Sequence, residues 1–279
     1  MSFSSAAPLV EHQVIYLRSG IVFQVGVSAE ARVRELSRVE LPGANGHPYQ
    51  YGGLTCGRNG KIILGRVRFD LELPIPKALS SIVEFDIKSR SLDVIFGEVT
   101  EILGAPKLSP SGQTIAMLFH KYDEPTAVGF LDVSTKSIWK VEKIGVSSPS
   151  SWAQDSSAVL VSFDPSRGNR EISRLDLHSR KFISVGVGQG ALYSPEEKHI
   201  ASISSDQRTV SVQERSSATA RDAKMFSKYL VEWLDPTTIV AVTGTLYDDR
   251  LAYISLNGMR TREIRLPGEG EIRGACINR

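Results

Sequence analysis

The side chains best suited to chemistry in this 279-residue sequence lie in short polar segments that combine carboxylates, guanidinium groups and tyrosines. Tyrosine and arginine are common at binding sites because they join a large contact area to directional hydrogen bonds. This combination favours recognition of another molecule, and we predict a protein partner. The predicted contact residues are Tyr122, Asp123, Glu124, Asp164, Arg167, Arg170, Arg208, Tyr247, Asp248, Asp249 and Arg250.

Local motifs of catalysis and cofactor binding do not accompany these residues. The sequence has no Gly-x-Ser-x-Gly nucleophile motif, and no His-x-His or His-Glu-x-x-His pair that places two imidazoles on one metal ion. Segment 57–61 resembles half of a phosphate-binding loop, but Thr55 and Ile62 stand where that loop needs a glycine and a hydroxyl residue. We therefore expect no catalytic residue, no metal site and no cofactor.

The sequence repeats itself at intervals of about 40 residues, the length of one blade of a β-propeller. Polar turns that lead into β-branched runs begin at residues 57, 109, 153, 194 and 234, so successive turns are 52, 44, 41 and 40 residues apart. Each repeat predicts a four-stranded blade. The polar segments above then fall between the second and third strands of their blades, on one face of the propeller.

The two ends of the chain together supply one more blade. Segment 269–279 resembles the innermost strand of the other repeats, and segment 10–43 supplies three further strands. We predict an all-β, six-bladed propeller of four-stranded blades, with a single domain over residues 1–279. The C-terminal strand closes the ring by joining the N-terminal strands, which leaves no long open sheet edge.

The second repeat also carries a family likeness. Its pattern resembles the Ser-Pro-Asp-Gly repeat of TolB-type six-bladed propellers, a WD-repeat-like architecture. The residues that carry the likeness are Ser109, Pro110, Ser111, Gly112, Ile115, Ala116, Leu131, Asp132 and Thr135. The resemblance covers nearly the whole chain as a rhythm and implies the fold. It implies no particular activity, because propellers include enzymes, scaffolds and receptors.

Three functional interpretations follow from a propeller with polar loops on one face. The leading one is a non-enzymatic binding or scaffold protein that recognises a macromolecular partner through this face and the channel mouth. A second is a metal-dependent hydrolase, lyase or lactonase at the channel mouth, since propeller sites are assembled from several blades and leave no local motif. A third is a glycan-binding receptor, for which exposed tryptophans near the channel are the expected feature.

The residue just before each turn is apolar or aromatic in all six repeats. These residues are Cys56, Leu108, Trp152, Tyr193, Trp233 and Cys276. A bulky side chain at one fixed point of every blade is predicted to pack between adjacent blades. Cys56 and Cys276 occupy equivalent positions in neighbouring blades, and we expect both to be buried, unreactive thiols.

The first repeat is the longest, and its extra residues lie in segment 69–80. Pro74 and Pro76 cannot donate ladder hydrogen bonds, so this segment is predicted to leave the sheet. It is unusually apolar for a loop. Leu73 and Ile75 are therefore candidate contacts either with a partner or with a neighbouring blade.

Composition limits the partners further. The sequence has 33 Lys and Arg against 31 Asp and Glu, a net charge of +2, which argues against a nucleic-acid partner. No apolar run reaches the ~18 residues of a membrane span, and the amino terminus lacks an export signal, so we expect no membrane contact and a cytoplasmic location. The composition does not exclude a small-molecule or glycan ligand at the channel.

Overall fold

The computed structural model describes residues 12–27, 32–43, 49–70, 77–121, 124–143, 145–164, 170–217, 220–245, 248–257 and 260–278. In this part of the chain all regular elements are β-strands, 24 in number. They form six four-stranded antiparallel sheets arranged as the blades of a propeller. The predicted fold class is confirmed.

Each blade is an antiparallel meander that runs outward from the central channel. Blade one comprises β4 (Tyr49–Cys56), β5 (Lys61–Asp70), β6 (Lys77–Asp86) and β7 (Leu92–Val99). Blade two comprises β8 (Ile102–Leu108), β9 (Thr114–His120), β10 (Ala127–Asp132) and β11 (Ile138–Glu142). Blade three comprises β12 (Ser151–Trp152), β13 (Ala158–Phe163), β14 (Glu171–Asp176) and β15 (Lys181–Val187).

The remaining blades follow the same plan. Blade four comprises β16 (Gln189–Tyr193), β17 (His199–Ile203), β18 (Thr209–Glu214) and β19 (Ala220–Lys224). Blade five comprises β20 (Tyr229–Asp235), β21 (Thr238–Thr245), β22 (Asp248–Ser255) and β23 (Arg260–Arg265). Blade six comprises β24 (Ile272–Asn278), β1 (His12–Arg18), β2 (Ile21–Val27) and β3 (Val33–Glu40).

The ring closes within blade six. Strand β24 pairs antiparallel with β1, with Val14 opposite Ile277 and Tyr16 opposite Ala275. The C-terminal strand is therefore the innermost strand of a blade whose other three strands come from the amino-terminal part of the chain. This confirms the predicted closure.

Aspartates at the ends of third strands fix the turns that follow. Asp132 Oδ1 accepts hydrogen bonds from the backbone N–H groups of Ser134 and Thr135 at 2.9 and 2.8 Å. These backbone and hydroxyl hydrogen bonds lower the pKa of Asp132 to about 2. Asp86 and Asp176 accept equivalent bonds, which explains why an acidic residue recurs at this point of the repeat.

The tryptophans before the turns join adjacent blades, as predicted. Trp152 is 8% exposed and Trp233 is 1% exposed. The indole N–H of Trp152 donates to the backbone oxygen of Lys107 in blade two at 2.9 Å, and that of Trp233 donates to the backbone oxygen of Leu192 in blade four at 3.5 Å. Each indole therefore binds the innermost strand of the preceding blade while its ring is buried.

Cys56 and Cys276 form a disulfide bond, so the prediction of free, buried thiols was wrong. The two residues lie in β4 and β24, the innermost strands of blades one and six. Equivalent positions on these adjacent strands place the two Cα atoms 5.6 Å apart, within the range that a disulfide spans. The bond links blades one and six where the ring closes.

The long connection in blade one also differs from its prediction. β5 and β6 continue the ladder until Phe69 pairs with Ala78 and Asp70 pairs with Lys77, so the ends of segment 69–80 stay in the sheet. The prolines lie only at 74 and 76, so the residues on either side keep the N–H groups that pairing needs. Leu73 and Ile75 lie outside the described residues.

Candidate functional site: the upper face and channel mouth

The two ends of the channel carry different loops because strands alternate in direction within each blade. Loops between second and third strands, together with connections between blades, open on one end, which we call the upper face. Turns between first and second strands open on the other end, the lower face. The predicted contact segments therefore share the upper face.

A cavity of about 460 Å³ forms the upper mouth of the channel. Every blade contributes to its wall, mainly through the innermost strands. Representative lining residues, in the order of the blades, are Gly53, Pro106, Ser148, Gln189, Tyr229 and Arg273. A ligand seated here contacts the whole ring rather than one blade.

Cations outnumber carboxylates in this mouth. Among the described residues its lining holds Lys107, Arg170, Lys228 and Arg273, with Asp164 as the carboxylate. Cationic groups gathered at the opening of a cleft concentrate the field there and attract anionic groups. The mouth is therefore suited to a negatively charged ligand.

Lys228 is held at the mouth by a buried carboxylate. Its Nζ lies 2.5 Å from Asp249 Oδ1 and donates to the backbone oxygen of Thr245 at 3.1 Å. The Asp249 side chain is fully buried and also accepts a hydrogen bond from the backbone N–H of Ile272 at 2.6 Å. Asp249 thus fixes Lys228 and joins blade five to blade six.

Arg170 and Asp164 frame the mouth on blade three. Their side chains lie 3.8 Å apart, and both are more than a third exposed. The backbone holds each in place: Asp164 N–H donates to Gly145 O at 2.9 Å, and Gly188 N–H donates to Arg170 O at 2.7 Å. An exposed pair at this distance is weak, so Arg170 is available to an incoming anion.

Lys107 lies where the two cavities of the channel meet. It lines both the upper cavity and a cavity of about 520 Å³ that opens on the lower face. Burial lowers the pKa of the Lys107 ammonium below its ordinary value, and Glu232 acts in the opposite direction. Lys107 belongs to blade two and Glu232 to blade five, which are opposite one another in a six-bladed ring.

Apolar side chains accompany the cations on the upper face. Five large hydrophobic side chains of the described residues are exposed, and three of these belong to this face: Phe69 (38%), Val187 (71%) and Phe226 (46%). The other two, Val94 and Ile183, lie within the outer strands β7 and β15, whereas Val187 is the last residue of β15, at its upper end. The three upper-face residues come from different blades, and each is exposed where a molecule bound on the upper face can contact it.

The predicted contact residues fall into four groups. Asp164 and Arg170 line the mouth, and Asp249 acts on it through Lys228. Arg208 and Glu124 are exposed outside the lining, where Glu124 pairs with Lys121. Asp248 and Arg250 form an ion pair of 2.6 Å that extends to the outer strand of blade five. Residues outside the described part of the chain are Tyr122, Asp123, Arg167 and Tyr247.

Lys107, Lys228 and Arg273 were not among the contact residues predicted from the sequence. The sequence nevertheless contains a signal for Lys107. One residue before the apolar residue that precedes each turn, four repeats hold an uncharged residue, whereas blade two holds Lys107 and blade five holds Glu232. Charged residues inside the innermost strands are expensive to bury. Their presence there indicates a channel wall rather than a core.

Three observations concern a metal site, a membrane span and the exposed tryptophans expected of a glycan receptor. Among the described residues no group of three or more His, Cys, Asp or Glu side chains is placed to hold a metal ion. The same part of the chain has no helix long and apolar enough to span a membrane. Trp152 and Trp233, which line the lower cavity, have buried rings.

Comparison with known proteins supports the fold. The structure is similar to TolB from Acinetobacter baumannii, with a TM-score of 0.70, 14% identity, and 97% of this chain and 67% of that chain covered. It is similar to a chain of a nidogen/laminin complex, with a TM-score of 0.68, 9% identity, and 95% and 98% covered. It also resembles a puromycin-hydrolyzing peptidase from Mycobacterium tuberculosis, with a TM-score of 0.63, 13% identity, and 94% and 48% covered.

These identities are low, so the likeness shows a shared fold, as the resemblance to TolB-type propellers implied. No known family profile matches the chain. No curated protein matches its sequence. The class that the fold defines is a six-bladed TolB-like β-propeller, and similar structures include both an enzyme and a chain from a protein complex.

Proposed function

We propose that this protein is a non-enzymatic binding protein that takes an acidic segment of a partner protein on its upper face. The observation that carries the proposal is that the cationic channel mouth and three exposed hydrophobic side chains, Phe69, Val187 and Phe226, lie on the same face. Charge complementarity guides association and selects partners, while apolar contact supplies affinity.

The mouth fits an anionic group better than a metal ion. A divalent cation takes carboxylate and other oxygen ligands, whereas this lining places Lys107, Arg170, Lys228 and Arg273 around one carboxylate. The alternative of a metal-dependent hydrolase, lyase or lactonase therefore has less support. A glycan receptor also has less support, since the buried rings of Trp152 and Trp233 offer no face for sugar stacking.

Site-specific photocrosslinking tests this function. A photoreactive benzoylphenylalanine is placed at position 226 on the upper face, or at position 183 in an outer strand as a matched control, since Phe226 is 46% exposed and Ile183 is 51% exposed. Both proteins are irradiated in cells that make the protein. We expect a defined covalent adduct from position 226 alone.

The electrostatic part has its own test. Adding Arg170→Glu to the position-226 protein should abolish the adduct, because a carboxylate there repels an acidic partner. Adducts from both positions, or none from position 226, contradict the proposal. An adduct that survives Arg170→Glu contradicts the acidic character of the partner.

A further inference from the structure

The innermost strands share an irregularity at the same point of the repeat. In five blades the pairing register shifts two or three residues before the apolar residue that precedes the turn. The residues outside the regular ladder are Gly53 in blade one, Ala105 and Pro106 in blade two, Gly190 and Ala191 in blade four, Val231 in blade five and Arg273 in blade six.

Blade three has the same feature in another form. Ser147 N–H donates to Ser162 O, and Ser150 N–H donates to Leu160 O, so three residue steps on the inner chain oppose two on β13. Pro149 lies within this stretch. The channel wall is therefore bulged in all six blades.

A bulge leaves a residue unpaired and redirects the chain, and bulges are frequent beside functional sites. Here three bulged residues have left-handed backbone, with φ of 62° at Gly53, 34° at Ala105 and 60° at Gly190. The first two are packed together: a Cβ on Gly53 would lie 2.7 Å from the Cα of Ala105. The bulges of blades one and two are thus in close contact, and the bulges of the six blades together make the part of the channel wall that we call the bulged ring.

Two cationic residues belong directly to this ring. Lys107 follows the bulge of blade two, and Arg273 is the bulged residue of blade six. Both line the upper cavity. The indole N–H of Trp152 binds the Lys107 carbonyl at 2.9 Å and so fixes the backbone from which the ammonium projects.

We propose that the bulged ring, with Lys107 and Arg273, is a binding site for a small oxyanion, a carboxylate or a phosphate, inside the upper channel. Lysine and arginine supply charge-assisted donors to an oxyanion. The bulges position these two side chains, since Pro106 has no N–H group and the Gly190 N–H already donates to Ser162 Oγ. The site does not depend on a partner protein, because the oxyanion can be a free ion as well as an acidic group of a bound chain.

The test measures binding of defined probes to the full-length protein by isothermal titration calorimetry at constant ionic strength. The probes are inorganic phosphate, succinate and a hexaglutamate peptide. We expect at least one of them to bind the wild type. Lys107→Met and Arg273→Met should each weaken that binding by about tenfold or more, because each removes a charge-assisted donor. Lys181→Met, which removes an exposed charge from an outer strand, should leave it unchanged.

The outcomes separate the possible sources of the oxyanion. Binding of phosphate or succinate that both variants weaken supports a free-ion ligand, and binding of hexaglutamate alone with the same losses supports an acidic group from another chain. Absence of binding by all three probes, or equal losses in Lys181→Met, overturns the site. Thermal unfolding of each variant without anion checks that it is folded, and Arg273→Met provides an exposed position where folding is least at risk. Failure of the crosslinking experiment leaves this result unaffected.

Discussion

The disulfide between Cys56 and Cys276 should contribute a large part of the stability of the ring. It joins residues 220 positions apart, so it constrains nearly the whole unfolded chain. The chain-entropy relation gives about 5 kcal/mol for a loop of this length, and measured disulfides usually contribute roughly 2–4 kcal/mol. We expect removal of the bond to lower the free energy of unfolding by about 3–5 kcal/mol.

The assay is urea unfolding followed by tryptophan fluorescence and circular dichroism. Three forms are compared: the oxidised wild type, the reduced wild type, and the Cys56→Ala/Cys276→Ala double variant. The reduced protein and the double variant should unfold at similar urea concentrations, both well below the oxidised protein. In thermal unfolding the same loss should lower the midpoint by about 5–9 °C.

One result refutes this reasoning. If mass spectrometry shows both thiols alkylated in the reduced protein while its unfolding midpoint matches that of the oxidised form, the disulfide does not stabilise the ring. Closure then rests on the pairing of β24 with β1 and the apolar contacts of blade six.

Four further predictions concern packing, closure, protonation and redox state. Trp152→Ala and Trp233→Ala should each cost roughly 3–5 kcal/mol in urea unfolding, whereas Val94→Ala in an outer strand should cost less than about 0.5 kcal/mol; equal effects contradict inter-blade packing. Deleting residues 271–279 should abolish cooperative thermal unfolding, and a full-length melting profile counts against six-bladed closure. The pKa of Lys107 is lower in the folded protein than in the unfolded chain, so the unfolded chain binds more protons between these two pKa values. The free energy of unfolding should therefore rise with pH over that interval. Urea unfolding at several pH values should show this rise for the wild type and not for Lys107→Met. Thiol titration of the native protein should find no free cysteine, and a result of two free thiols contradicts the disulfide.

The fold could be predicted because its signals are local and repeated. A polar turn before a β-branched run, and an aspartate such as Asp132 that accepts hydrogen bonds from its own turn, appear in the sequence wherever the structure uses them. The disulfide was missed although its signal was present. Cys56 and Cys276 were placed at equivalent positions of neighbouring blades, and adjacent innermost strands approach closely near the axis. Equivalent positions elsewhere hold larger side chains such as Trp152 and Tyr193, which fill that space instead.

The channel wall was harder to predict because it depends on strand register. A bulge is defined by the strand that it faces, so one strand's sequence does not show which residue leaves the ladder. A weak signal nevertheless recurs three residues before the apolar residue of each turn, where four of six repeats hold glycine, alanine or proline. The residues at this point are Gly53, Ala105, Pro149, Gly190, Leu230 and Arg273. Glycine and proline favour irregular backbone at this point. Blade six has Arg273 here instead, with an exposed side chain. A charged residue at a position where four of the other five repeats hold glycine, alanine or proline is the feature expected of a wall that meets an anion.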